Sequence, residues 1–186
     1  MLPTPHTFWV RSTDRRVSWR QREQSKISEI SDNMAGVIEL KLPSEYGWVV
    51  LAVGVGTFVV TTMMGGPVMH ARKKYNIQYP NLYAVPGYHK NADEFNRVQR
   101  GHQNMFESLS SVMAMTLLGG VKHPISCAVG YCLYLLGSYF YLVGYSDTEL
   151  DVKTARYKKG GGIKWIGTLW AMGCTVSLAG SMLKWW

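Results

Sequence analysis

EFNRVQRGHQNMFESL, residues 94–109, carries four polar side chains toward an apolar run of the chain: Arg97, Arg100, Asn104 and Glu107. At about 100° per residue, the four fall within roughly an 80° arc of one helix face. Charged side chains that enter a bilayer are costly, so this face should lie against a protein interior or a wet cavity. The stretch therefore predicts a membrane helix whose inner face carries a polar site.

Most apolar residues of the chain lie in four blocks: 46–69, 108–121, 125–145 and 165–183. A helix needs about 20 residues to cross roughly 30 Å of hydrocarbon, and blocks one, three and four reach that length. Block two reaches it only if its helix begins near Val98 and turns its polar face into a bundle. We therefore predict an all-α membrane protein, a bundle of four transmembrane helices at about 46–70, 96–121, 124–146 and 162–184.

The charge of the chain is unevenly distributed. There are 20 Lys and Arg against 12 Asp and Glu, and many of the basic residues lie at 72–90 and 153–159. By the positive-inside rule, the loops after the first and third helices face the cytoplasm. Such a juxtamembrane excess is typical of membrane proteins, and we expect no nucleic-acid partner.

The amino-terminal segment differs from the apolar blocks. Residues 1–33 are rich in Ser and Arg and have no apolar core, which excludes a secretory signal peptide. We expect a disordered extension over residues 1–37, either an import segment or a stretch upstream of an alternative start at Met34. The membrane domain should then occupy residues 38–186.

The cysteines give no sign of a metal centre. Cys127, Cys132 and Cys174 lie inside apolar blocks and form no CxxC pair. Buried Cys usually behaves as a small apolar residue. We expect packing roles for all three and no metal site.

The polar face of the second helix has two interpretations at this point. Two guanidinium groups, an amide and a carboxylate could together bind a ligand that has both carboxylates and an ammonium group. Alternatively, Arg100 and Glu107 could form an internal salt bridge across two helical turns. Two arginines beside one glutamate would still leave a surplus positive charge.

Two motifs, ARKKYNIQYP at 71–80 and FNRVQRGHQNMFE at 95–107, resemble the membrane-associated eicosanoid and glutathione metabolism (MAPEG) family, and within it the type-3 microsomal glutathione transferases. The resemblance extends from about Ser44 to Leu183. It implies a homotrimer of four-helix bundles that binds glutathione between neighbouring subunits near the cytosolic side. It also implies a multi-pass protein of the endoplasmic reticulum membrane, with the mitochondrial outer membrane as the alternative.

The resemblance implies roles for individual residues. The positions that match glutathione contacts are Arg72, Arg97, Arg100, His102, Asn104, Glu107, Tyr141 and Tyr145. Arg156 is the expected thiol-activating residue, with Lys153 and Lys159 as alternatives, and Lys73 could protonate a departing oxygen. Ser138 departs from the family pattern, because many members carry an arginine there.

The implied function is a membrane glutathione transferase with possible glutathione-dependent peroxidase activity. A cation beside the glutathione sulfur favours the thiolate, which would attack a lipophilic electrophile or a lipid hydroperoxide that arrives from the bilayer. Leukotriene C synthase-type conjugation is one alternative. A non-catalytic lipid-binding adaptor similar to five-lipoxygenase-activating protein is the other. Arg72, Arg100 and Glu107 favour the enzyme, since a pure lipid site needs no such groups, whereas Ser138 favours the adaptor.

Overall fold

The computed structural model describes residues 18–19, 21–30 and 42–185. The chain divides into two units, residues 1–41 and 42–186. In the first unit, residues 21–30 are helical and exposed, with local hydrogen bonds such as Ser28 Oγ to the Ser25 carbonyl at 2.9 Å. The rest of the predicted disordered extension, apart from residues 18 and 19, lies outside the described residues.

The second unit begins with a long helix, α1, which runs from Tyr46 to Tyr75. Its turn at Leu51–Gly56 is π-helical, and the helix continues through Pro67. It ends at Asn76, which adopts a left-handed backbone with φ of 55°. Asn tolerates this conformation better than most residues, so the end of α1 is fixed locally. The helix extends beyond the predicted end at residue 70, since the basic residues 72–74 form part of its last turn.

Four further helices follow: α2 (Ala92–Gly120), α3 (Pro124–Tyr145), α4 (Val152–Lys158) and α5 (Ile163–Met182). The α2 helix begins earlier than predicted, with Asp93 and Glu94 in its first turn, where acidic side chains favour the helix dipole. The short α4 lies in a segment for which we predicted no helix. Its N-cap, Asp151, accepts a hydrogen bond from the Lys153 amide at 3.2 Å.

Two helices of the described part are long and apolar enough to cross a membrane by length and composition, α1 and α3. The α2 and α5 helices do not meet this criterion of length and apolar composition. Large apolar side chains are nevertheless exposed on several helices, such as Phe58 on α1 and Leu169 on α5. Such an outer surface is typical of contact with lipid or with another subunit.

The closest packing in the unit joins α3 to α5. A Cβ atom on Gly137 would lie 2.0 Å from the backbone nitrogen of Lys164, and one on Gly167 would lie 2.3 Å from the Gly130 carbonyl oxygen. Only glycine allows the two backbones to approach so closely. The first turn of α5 is therefore held against the middle of α3.

The loop between α1 and α2 is fixed on the amino-terminal half of α2. The Asn96 side chain pairs with the Ala84 backbone, accepting from its amide at 2.8 Å and donating to its carbonyl at 2.9 Å. Tyr83 donates to Gln103, about two turns further along α2. These contacts form one wall of the site described next.

Candidate functional site

Four side chains from α2 and α5 form a chain of hydrogen bonds, which we call the polar relay: Arg100, Glu107, Asn104 and Lys164. Arg100 donates to both carboxylate oxygens of Glu107, at 2.5 and 3.5 Å. Asn104 Nδ2 donates to Glu107 Oε2 at 3.3 Å, and Lys164 Nζ donates to Asn104 Oδ1 at 2.6 Å. The salt bridge between Arg100 and Glu107, the alternative interpretation of this helix face, therefore exists as one part of a longer network.

The two ends of the polar relay differ in their exposure to solvent. The side chains of Arg100 and Glu107 are 45% and 41% exposed, whereas Lys164 is only 2% exposed. The Lys164 ammonium lies 5.3 Å from the Tyr141 ring centroid and 5.9 Å from that of Tyr134. Cation–π contacts with a desolvated ammonium can each contribute about 2 kcal/mol. The relay thus holds two cations and one carboxylate.

Lys164 is a site residue that the sequence analysis missed. It is the second residue of an apolar helix and follows a glycine run at 160–162, a setting in which lysine usually extends to the membrane surface. The only signal in the sequence was its place inside the helix predicted at about 162–184, just before the apolar block 165–183. Its direction toward Asn104 depends on the close α3–α5 packing.

Arg97 fixes the loop that follows α3. Its Nε donates to the Tyr145 carbonyl at 2.8 Å, and its Nη2 donates to the carbonyls of Asp147 and Leu150 at 2.5 and 3.0 Å. A guanidinium group has five N–H donors, so the two on Nη1 remain for a ligand. Arg97 therefore shapes the site whether or not it contacts glutathione.

Tyr141 and Tyr145 connect the relay to α4. Their ring centroids lie 5.7 Å apart, with Lys164 beside the first and Arg156 5.8 Å from the second. The Nε of Arg156 is buried and has no hydrogen-bond partner in the described part of the chain. A buried donor without an acceptor costs about 1–3 kcal/mol, so an acceptor that reached this nitrogen would remove that cost.

The other two cations considered for thiol activation are placed differently. Lys159 forms a 2.7 Å ion pair with Asp147, and Lys153 is exposed. The Lys159 hydrogen bond, the largest influence, and the backbone amide of Glu149 hold the pKa of Asp147 below its usual range. Arg156 is thus the member of this set that turns toward the tyrosine pair.

Arg72 and Lys73 lie at the end of α1, beside the loop and not in the relay. Arg72 donates to the Asn81 carbonyl at 2.8 Å and lies over the rings of Tyr79 and Phe95 at 4.5 and 5.3 Å. Lys73 is exposed. His102 is also separate, because helical spacing places it roughly 160° from Asn104 and its ring contacts Phe106 at 5.0 Å.

Ser138 does not supply the polar group that an arginine would bring to α3. Its hydroxyl donates to the Tyr134 carbonyl of the same helix at 2.8 Å and is 2% exposed. The Tyr134 hydroxyl in turn donates to the Met105 carbonyl at 2.7 Å. Ser138 is therefore satisfied within its own helix.

A cavity of about 690 Å³, the polar pocket, lies between α2 and the two loops at this end of the molecule. Its lining comprises Tyr83, Asp93, Glu94, Asn96, Arg97, Arg100, Tyr145, Thr148 and Val152. The volume falls in the range of about 300–1,000 Å³ that is common for small-molecule sites. Because both charge signs line it, the pocket suits a zwitterionic ligand.

A second cavity, the apolar crevice, lies between α1 and α3 and has a volume of about 510 Å³. Its lining comprises Trp48, Leu51, Ala52, Ile125, Ala128, Val129, Cys132 and Leu133. Within the residues that the structure describes, no group of three His, Cys, Asp or Glu side chains could hold a metal ion. The two cavities themselves offer cations, hydrogen-bonding groups and an apolar surface.

The MAPEG family profile matches residues 50–183, which include the relay, the tyrosine pair and Arg156. Membership supports a role of the glutathione-transferase or lipid-metabolism type and a membrane location. The closer likeness to the type-3 microsomal glutathione transferases stays a prediction. The match confirms the family that the two sequence motifs indicate, and the chain belongs to the MAPEG family.

Proposed function

We propose that the protein is a membrane-bound glutathione transferase with glutathione-dependent peroxidase activity. The observation that carries the proposal is the half-exposed Arg100–Glu107 pair, of which Arg100 also lines the polar pocket. An exposed ion pair contributes only about 0–1 kcal/mol, so a ligand that brings its own charges can replace it at little cost. Glutathione has two carboxylates for arginine and one ammonium group for Glu107.

Arg156 is the residue we propose to activate the thiol. A cation next to the sulfur lowers the thiol pKa, and each unit of that shift corresponds to about 1.4 kcal/mol. The unpartnered Nε and the position beside Tyr145 support this role. The proton released from the thiol passes to solvent through the polar pocket.

The thiolate then has two possible reactions. With an electrophilic lipid, a new carbon–sulfur bond forms while the bond to the leaving oxygen breaks, and Lys73 or water protonates that oxygen. With a lipid hydroperoxide, sulfur attacks the O–O bond and yields a lipid alcohol and oxidised glutathione sulfur. A second glutathione then gives the disulfide and water.

The assembly that we propose is a homotrimer of four-helix bundles in the endoplasmic reticulum membrane, with the mitochondrial outer membrane as the alternative. The polar pocket lies at the end that carries the basic loops, which the positive-inside rule assigns to the cytosol. His102 and Arg72 lie away from the relay of their own chain. We therefore propose that these two residues contact glutathione held by a neighbouring subunit.

A lipid-binding adaptor is the second candidate. The apolar crevice supports it, because this cavity lies apart from the cations and would bind lipid without any thiol chemistry. The adaptor would not require glutathione affinity or a thiolate. These two properties therefore separate the candidates.

The deciding experiment measures glutathione binding by calorimetry and thiolate formation by ultraviolet absorbance on the purified full-length protein in detergent. We expect the wild type to show both, and Arg156→Ala to lose the thiolate signal while its affinity changes by less than about threefold. Lys153→Ala, an exposed lysine on the same helix, is the matched control and should keep both. Binding without thiolate in the wild type would exclude the transferase mechanism, and no binding would favour the adaptor.

A further inference from the structure

We propose that Lys164 is a positioning residue of the glutathione site, which orients the Asn104 amide and so keeps Glu107 available to the ligand's ammonium group. The inference rests on the proposed function and adds to it a buried cation from α5. The hydrogen-bonded connection from Lys164 to the site runs through Asn104, because Lys164 is 2% exposed and its side-chain hydrogen bond ends on Asn104 Oδ1.

The orientation of the Asn104 amide follows from the charges on its two sides. Its oxygen faces the Lys164 ammonium at 2.6 Å, and its nitrogen faces the Glu107 carboxylate at 3.3 Å. A flipped amide would place its NH₂ group against the ammonium and its oxygen against the carboxylate. Both charge-assisted hydrogen bonds, which are stronger than hydrogen bonds between neutral groups, would be lost. Lys164 therefore excludes the orientation in which Asn104 repels Glu107.

Stability alone does not explain a lysine at this position. A buried ammonium loses its hydration, which destabilises the folded state unless the ammonium is well paired. Lys164 has three N–H donors but one side-chain hydrogen bond, and it belongs to no ion pair in the described part of the chain. An apolar side chain of similar length would avoid this desolvation. Function and stability should therefore respond in opposite directions when the charge is removed.

If Lys164 acts through Asn104, the effect of removing Lys164 on glutathione binding should depend on whether Asn104 is present. If Lys164 acted directly on the ligand, its removal would weaken binding whether or not Asn104 were present. If it acts by orienting Asn104, its removal matters only while that amide is there. A double-mutant cycle distinguishes the two cases.

The experiment compares the wild type with Lys164→Met, Lys164→Gln, Asn104→Ala and the double variant Lys164→Met/Asn104→Ala, all as full-length protein in detergent. We expect Lys164→Met to weaken glutathione binding about tenfold or more and to raise KM without changing kcat beyond about threefold. Lys164→Gln keeps a donor for Asn104 Oδ1 and should recover part of the affinity. In the Asn104→Ala background, Lys164→Met should add less than about twofold.

Thermal unfolding and a matched control complete the test. Lys164→Met should unfold at the same temperature as the wild type or higher, whereas Lys158→Met, at an exposed position of α4, should leave binding unchanged. Additive effects of Lys164→Met and Asn104→Ala would overturn the inference, as would undiminished binding by Lys164→Met. A wild type without glutathione affinity would instead overturn the proposed function and this inference with it. If Lys164→Met does not fold, Lys164→Gln in the same cycle decides.

Discussion

The polar pocket and the apolar crevice lie toward opposite ends of α3 and are built on different principles. The pocket includes Tyr145, the last residue of α3, whereas the crevice ends at Leu133, about 18 Å earlier along the helix axis. In the pocket, directional hydrogen bonds fix where the lining groups lie, as the three from Arg97 to backbone carbonyls do. In the crevice, whose lining is apolar, only the shape of the surface can position a ligand. Selectivity for a charged ligand should therefore depend on single side chains, and selectivity for a lipid on volume.

Among the substitutions that test the difference between the two cavities, Arg100→Ala should have the largest effect on binding. The change removes the guanidinium group that we propose binds a glutathione carboxylate, together with its two hydrogen bonds to Glu107, so we expect glutathione affinity to fall by about 100-fold. Binding of a fluorescent fatty-acid probe should be unchanged. Calorimetry and a probe titration on the same preparation measure the two properties.

Arg22→Ala is the matched control for this substitution, because Arg22 is exposed on the amino-terminal helical segment. It should leave both affinities as in the wild type. Equal losses of glutathione and lipid binding in Arg100→Ala would contradict the independence of the two cavities. The pocket and the crevice would then form one binding unit.

A smaller effect is expected when the crevice is filled. Ala128 lines it and is 7% exposed, so Ala128→Phe should occupy part of its volume and weaken lipid-probe binding about tenfold. Glutathione affinity should remain within about twofold. Leu136→Phe is the control, since Leu136 lies on the same helix, is exposed and does not line the crevice. An unchanged probe affinity in Ala128→Phe would remove the crevice as the lipid site.

The parts of the site that could be predicted from sequence are those that depend on one helix. The residues Arg100, Asn104 and Glu107 share a face because of the helical period, and the structure joins them by hydrogen bonds. Lys164 reaches Asn104 across 60 residues of chain, and this contact depends on the backbone approach at Gly137. The same holds for Arg97, whose partners lie 48–53 residues away.

The same distinction holds for the fold. The four long helices follow from apolar block length and turn residues, which are local signals. The short α4 has seven residues and no apolar periodicity, and it depends on a cap at Asp151 and on Ala155, which packs against Gly144. The sequence of this segment alone therefore does not predict the helix, which depends on packing against α3. The roles assigned to the site residues stay predictions until binding is measured.

The smallest expected effect concerns the loop that closes the pocket. Hydrogen bonds from Lys159 and then from the Glu149 amide lower the pKa of Asp147, so the folded state favours its ionised form. A depressed folded-state pKa contributes stability above the unfolded value of about 4, and this contribution is lost as the pH falls through the lower folded value. Asp147→Asn should therefore flatten the acid side of a plot of unfolding temperature against pH by a small amount. Lys159→Met, which removes the main cause, should flatten it likewise. An acid slope that is unchanged in both variants would show that this pair does not stabilise the loop.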